Sequence, residues 1–167
     1  MYSKEFDTVE DACEFAKEYF RPKLQLCNEK HVRLSKVDEF ERIIQTTLPK
    51  DYRDFLLDFN GDYLILKNVS LTVSDVNEQI GIDTLFGFSD KRSLNLISWY
   101  REYESELPEN TIIIGASCGC GLLVLIWQED WQGVFLWDSA LALETSTEED
   151  CLYRISDSFK EFRKLIF

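Results

Sequence analysis

The feature that most constrains the fold is a set of three short apolar runs in the second half of the chain, each bordered by a glycine. They are Ile112 to Ile114, Leu122 to Trp127, and Val134 to Trp137. Runs of this length are too short for helices and are typical of buried strands in the centre of a sheet. The residues from Glu129 to Gly133, which separate the last two runs, predict the tip of a hairpin.

Helical patterns occur on both sides of these runs. The clearest begins at Leu48-Pro49, because proline suits the first position of a helix and apolar residues follow at the spacing of one helix face. Other helices are expected from Thr8 to Phe20, from Ser35, from Ser93 to Leu107 and from Ser156. Weaker strand-like runs are Tyr63 to Leu66, Val69 to Val73, and Thr84 to Phe88. Helices lead, mostly consecutive strands follow and a helix closes the chain, an order that favours an α+β fold.

The charge of the chain limits its partners. It has 167 residues, about one domain, with 31 acidic and 18 basic residues, for a net charge of −13. Such a surface repels nucleic acid and anionic membranes and attracts basic proteins. The segment from Met1 to Phe15 carries five carboxylates, so it does not resemble a signal peptide. We therefore expect a cytoplasmic protein with reduced cysteines.

The sequence contains no complete catalytic or metal-binding motif. Its only histidine is His31, which excludes every metal motif that needs two histidines. Ser117 lies in a G-x-S-x-G sequence, but a nucleophile elbow needs a helix after the serine and a histidine later in the chain. We interpret these glycines as a turn, and Cys118 and Cys120 as packed thiols rather than a metal pair. We expect no enzyme activity, cofactor or metal; an enzyme that uses Asp138 or Ser117 is the alternative.

Acidic residues are concentrated between Glu102 and Tyr153, where no lysine or arginine occurs. They are Glu102, Glu104, Glu106, Glu109, Glu129, Asp130, Asp138, Glu144, Glu148, Glu149 and Asp150. A concentrated negative field steers a cationic partner, although a solvated surface that only aids solubility has the same composition. Trp131, at the predicted hairpin tip, is either a binding hot spot or a ring folded back onto the surface. The candidate partner-binding residues are Glu129, Asp130, Trp131, Asp138, Glu144, Glu148, Glu149 and Asp150.

Five motifs resemble those of the SMI1/KNR4 (SUKH) family, in the family's order. They are LPKDYRDFLLDFNG from Leu48, LFGF from Leu85, IIIG from Ile112, GVFLWD from Gly133 and SFKEF from Ser158. The resemblance covers about residues 35–167, which we expect to form the SMI1/KNR4-like domain. Residues 1–34 are expected to add an N-terminal helix and loop packed on that domain.

The resemblance implies both a fold and a function. The fold is a single α+β domain with a mixed, mostly antiparallel sheet and helices on one side and at the edge. Bacterial members resemble immunity proteins that neutralise polymorphic toxins, many of them nucleases, whereas fungal members are regulators that act through protein contacts. It therefore implies a non-catalytic protein that binds a cognate toxin domain with a basic surface. A regulatory or scaffold adaptor with no toxin partner is the alternative, and the oligomeric state is not predicted.

Overall fold

The structure, a computed structural model, describes residues 34–58, 64–73, 78–117, 121–138, 143 and 151–167. The predicted helix from Thr8 to Phe20, the segment 1–33 and His31 lie outside these residues. The helices are α1 (Leu34–Ile43), α2 (Lys50–Asp58), a 3-10 turn (Arg92–Leu94), α3 (Leu96–Tyr103) and α4 (Phe159–Ile166). The strands are β1 (Leu64–Val73), β2 (Glu78–Leu85), β3 (Thr111–Ser117), β4 (Leu122–Trp127), β5 (Gln132–Trp137) and β6 (Leu152–Ser156).

The strands form one sheet in which spatial order follows chain order, from β1 to β6. Each neighbouring pair is antiparallel, which confirms the α+β class. The sheet also curls, because Cα atoms of its two outer strands, β1 and β6, come within 8 Å of each other. Consecutive residues are buried along β3, β4 and β5, so both faces of the central strands are covered.

The structure confirms the three apolar runs as strands and corrects several weaker predictions. The runs from Tyr63 and Val69 form one strand, in which the pairing register shifts between Ile65 and Val69. The predicted helix from Ser93 begins later, because the side chain of Asn95 accepts a hydrogen bond from the Ser98 amide and caps α3. The run from Thr84 is also shifted, since β2 ends at Leu85.

The predicted helix start at Ser156 is wrong. Ser156 is the last residue of β6, a strand that the sequence patterns did not reveal. The cap of α4 is Ser158, whose Oγ accepts a hydrogen bond from the Glu161 amide at 3.2 Å. An extended backbone at Ser158 and a side-chain acceptor for a free helix amide are the usual features of an N-cap.

Packing of α2 against α4 closes one part of the core. The ring of Phe159 lies 4.7 Å from that of Tyr52 and 4.9 Å from that of Phe55, measured between centroids. A carboxylate oxygen of Asp51 accepts a hydrogen bond from the Lys160 amide at 2.8 Å. The helix after Leu48-Pro49 is therefore fixed to the last helix of the chain. No helix in the described ranges is long and apolar enough to cross a membrane.

Candidate partner-binding surface

The predicted hairpin tip between β4 and β5 is present. The Gln128 amide donates a hydrogen bond to the carbonyl oxygen of Trp131 at 2.9 Å, which closes the turn. Glu129 and Asp130 are exposed within it. Both carboxylates are therefore open to solvent at the end of the hairpin.

The loop before β3 is attached to this hairpin. The Trp127 amide donates to the Asn110 carbonyl at 3.0 Å, and the side-chain amide of Gln128 donates to the Glu109 carbonyl at 2.9 Å. Asn110 adopts a left-handed conformation, with φ of 54°, and its side chain accepts a hydrogen bond from the Thr46 hydroxyl at 2.8 Å. These bonds place Glu109 next to the hairpin, although it is distant from Glu129 in sequence.

Exposed carboxylates therefore collect at this end of the sheet. We call this set the acidic tip; it consists of Glu109, Glu129 and Asp130. Glu104 and Glu106 are exposed as well, in the segment that follows α3. None of these five forms an ion pair with another residue that the structure describes. Glu102, also exposed, differs, since Arg92 pairs with it at 3.4 Å. The acidic tip is therefore a source of negative potential that described cations do not neutralise.

Trp131 contacts the sheet while remaining partly open to solvent. Its half-buried ring packs against that of Phe135, with centroids 5.3 Å apart and planes inclined at 59°. The guanidinium carbon of Arg154 lies 4.8 Å from the Phe135 centroid, and this arginine also donates to the Gln132 carbonyl at 2.9 Å. The Trp131 ring is therefore folded back onto the surface of the sheet, and its accessible part lies beside Glu129 and Asp130.

Asp138 does not join the acidic tip. It follows β5, whereas Trp131 precedes it, and a strand of this length spans about 20 Å. Asp138 is half-buried, and its amide donates to the Cys151 carbonyl at 2.8 Å. The other predicted site residues, Glu144, Glu148, Glu149 and Asp150, lie outside the described residues. Of the predicted site, the structure brings together Glu129, Asp130 and Trp131.

Ser117 belongs to a strand-to-strand turn, as predicted. Its amide and hydroxyl both donate to the Gly121 carbonyl, at 3.0 and 3.2 Å, and Ala116 pairs with Leu122 on the next strand. A nucleophile elbow leads from a strand into a helix, so this arrangement is different. Cys118 and Cys120 lie outside the described residues.

Sequence analysis missed the aromatic residues on α3. Tyr100 and Tyr103 are half-buried, as is Trp99. Partial burial raises the pKa of Tyr103, and the negative charges of Glu102 and Glu106 raise it further. Partial burial and Glu104 raise the pKa of Tyr100 in the same way. The glutamates of this region therefore lie close to the tyrosine rings.

Comparison with known proteins assigns the family. The SMI1 / KNR4 family (SUKH-1) model matches residues 32–164, most of the chain and nearly all of the described fold. The chain belongs to the SMI1/KNR4 (SUKH-1) family. No curated protein matches the sequence significantly. The match confirms the resemblance found from the five motifs.

Residues of the SUKH-1 motifs lie mainly in the core rather than at the acidic tip. Leu48, Tyr52, Phe86 and Trp137 are all buried. Gly115 is needed for strand contact, since a Cβ there would lie 2.4 Å from the Thr84 carbonyl oxygen. The motifs therefore specify the domain, whereas the charged residues of the acidic tip lie between them in sequence.

Proposed function

We propose that this SUKH-1 protein is a non-catalytic immunity protein that binds a cognate protein toxin through the acidic tip. In this proposal the toxin is a nuclease with a basic surface, and the complex forms in the cytoplasm without a cofactor. The SUKH-1 family is generally non-catalytic, which supports a binding role. The strand-to-strand turn at Ser117 supports the same conclusion.

The observation that carries the proposal is the gathering of exposed carboxylates at the acidic tip. Glu109 is held against the β4–β5 hairpin by the Gln128 hydrogen bond, so it adds its charge to Glu129 and Asp130. A nuclease surface that holds phosphate is basic, and carboxylates on an inhibitor can occupy it in place of the nucleic acid. The same field speeds encounter with a cationic partner.

The test compares two charge reversals that change the net charge equally. Glu129→Lys alters the acidic tip, and Glu39→Lys alters an exposed glutamate on α1. The proposal expects a toxin gene beside this one. The probe is the nuclease domain encoded by that gene, with binding measured by isothermal titration calorimetry. Glu129→Lys should weaken binding by about tenfold, or 1.4 kcal/mol, whereas Glu39→Lys should leave the Kd within about twofold.

Two results would contradict the proposal. Equal affinities for wild type and Glu129→Lys would show that the acidic tip is not the contact surface. Failure of the wild-type protein to bind or inhibit the neighbouring nuclease would reject the immunity function and favour the regulatory adaptor.

A further inference from the structure

Helix α3 is apolar along one side but only slightly buried. Leu96 is its single buried residue, whereas Ile97, Trp99, Tyr100 and Tyr103 are half-buried. The apolar side of a surface helix normally faces the core of its own domain. Here a group of aromatic side chains is left partly accessible, although several of them contact the protein behind them.

The rings on α3 are held in place by their neighbours. Trp99 stacks on Phe86, with centroids 4.9 Å apart and planes inclined at 6°, and its indole N–H donates to the Ser93 carbonyl at 3.1 Å. Tyr103 lies close to parallel with Trp99 and meets the buried Trp137 edge-on, at 5.7 Å and 84°. Aromatic rings that are already ordered lose little conformational entropy on binding, as in interface hot spots.

Negative charge surrounds these rings. Burial raises the pKa of both tyrosines, and the nearby carboxylates raise it further: Glu104 that of Tyr100, and Glu102 and Glu106 that of Tyr103. Arg101 is the exposed cation on the same helix, while Arg92 is paired with Glu102. Three residues beyond Glu106, the Glu109 carbonyl accepts the hydrogen bond from the Gln128 side chain of the β4–β5 hairpin.

We infer that Trp99, Tyr100 and Tyr103 form a second docking surface, which receives a basic segment of the same protein partner. An apolar side chain of that segment covers the accessible parts of the rings, and its lysine or arginine residues face Glu104 and Glu106. Charge complementarity favours this occupant over nucleic acid or an anionic membrane. The inference rests on the proposed function and adds the α3 surface to the acidic tip as a second contact with the partner.

A partner that contacts both the hairpin tip and the α3 rings would form an interface of ordinary size. A stable protein complex covers about 800 Å² on each partner, usually with aromatic anchors at its centre and charged residues at its rim. The hairpin tip alone supplies one half-buried tryptophan and exposed acids. The α3 rings add the fixed aromatic contacts that such a centre requires.

The experiment measures binding of the catalytically inactivated toxin domain encoded beside the gene to full-length variants. Trp99→Ala should raise the Kd by at least about tenfold. Glu106→Lys, an exposed change that cannot create a cavity, should raise it by several fold and slow association. Thermal unfolding of each variant checks the fold, and lysozyme, an unrelated basic protein, should bind far more weakly than the toxin domain.

The outcomes separate this inference from the proposed function. If Glu129→Lys weakens binding while Trp99→Ala and Glu106→Lys do not, the α3 surface is wrong and the immunity function stands. If the wild-type protein does not bind the toxin domain, the proposed function fails. Acrylamide quenching, taken as the difference between wild type and Trp99→Phe, should show an accessible Trp99 in the free protein. Protection in the free protein would mean that the chain itself covers α3, and would overturn the inference.

Discussion

Tyr52 is a motif residue whose ring and hydroxyl have opposite effects on stability. The ring is buried against Phe55 and Phe159, which favours folding. Among the described residues, none hydrogen-bonds to its hydroxyl oxygen, and leaving such a group unpaired in the interior costs about 1–3 kcal/mol. Burial also raises the pKa of Tyr52 far above its usual value. The fold therefore tolerates a polar atom where an apolar one would suffice.

Replacing that hydroxyl should stabilise the protein. Tyr52→Phe removes the unpaired group and keeps the ring, so the free energy of unfolding at pH 7 should rise by about 1 kcal/mol. Urea unfolding followed by circular dichroism measures this change. A decrease at pH 7 would contradict the absence of a partner for the hydroxyl.

The pH dependence gives an independent measurement. Because burial raises the folded-state pKa of Tyr52, its ionisation does not affect stability below pH 10. Above pH 10 the unfolded state releases the proton while the folded state keeps it, so the free energy of unfolding falls as pH rises. Above that pH, the wild-type protein should lose up to about 1.4 kcal/mol per pH unit through this residue. Tyr52→Phe should show a shallower decline; identical slopes would refute this assignment.

Trp131 is a single residue whose contribution to toxin binding can be measured by truncation. Truncation to alanine removes the accessible part of the ring beside Glu129 and Asp130, and should weaken toxin binding by about 2 kcal/mol if it is a hot spot. It also removes the contact with Phe135, so thermal unfolding must be compared in parallel. Unchanged affinity in a titration would exclude Trp131 from the binding surface.

At the scale of elements, the pairing of β5 with β6 depends on Gly133. This residue has φ of 141°, and a Cβ there would lie 2.3 Å from the Ser156 carbonyl oxygen. The register of the two strands shifts immediately afterwards, between Val134 and Phe135. Such irregularities bend a strand and often need a glycine. The close backbone approach explains why the GVFLWD motif begins with this residue.

Gly133→Ala should therefore destabilise the fold strongly. Backbone strain and the clash with Ser156 predict a loss of about 2 kcal/mol or more in the free energy of unfolding. Gly121→Ala is the matched control, because its Cβ would meet the end of the flexible Leu136 side chain at 2.6 Å rather than backbone. Urea unfolding should rank Gly133→Ala well below Gly121→Ala; the reverse order would show that the sheet adjusts easily at Gly133.

The sequence predicted elements best where burial alone determines the pattern. β3, β4 and β5 are apolar on both faces, so their runs were visible without knowledge of neighbours. β6 was missed because it mixes Arg154 and Ser156 with apolar residues and becomes a strand by pairing with β5. The sequence predicted a helix at α3, but which of its side chains are covered depends on tertiary packing.

The site was predicted in part for a similar reason. Glu129 and Asp130 could be placed at a tip because adjacent runs formed a hairpin. The approach of Glu109 to them depends on the Trp127–Asn110 backbone bond, which joins residues distant in sequence. Asp138 is separated from the tip because β5 leads away from the hairpin. A list of the acidic residues along the sequence does not contain that information.

At the scale of the whole molecule, the net charge and the position of the acidic tip both affect association with a basic partner. The net charge is −13, and the acidic tip provides exposed carboxylates without ion pairs to described residues. Salt screens exposed charges over about 8 Å at physiological ionic strength. The association with a basic toxin domain should therefore respond to salt mainly through the rate of encounter.

Stopped-flow measurements should show this effect directly. Between about 50 and 500 mM salt, the association rate constant should fall by at least about tenfold, with a much smaller change in the dissociation rate. Glu129→Lys should reduce the salt dependence, whereas Glu39→Lys should reduce it less. An association rate that is independent of salt in the wild-type protein would refute electrostatic steering.

The sequential order of the sheet has a consequence for how the protein folds. Each strand pairs with the one made just before it, so successive hairpins can form while the ribosome is still adding residues. The contact between Asp51 and Lys160 joins positions 109 residues apart, and it must wait until α4 has been synthesised. Nascent chains that end before α4 should therefore expose the apolar side of α2, and these are the intermediates most prone to aggregate or to recruit chaperones.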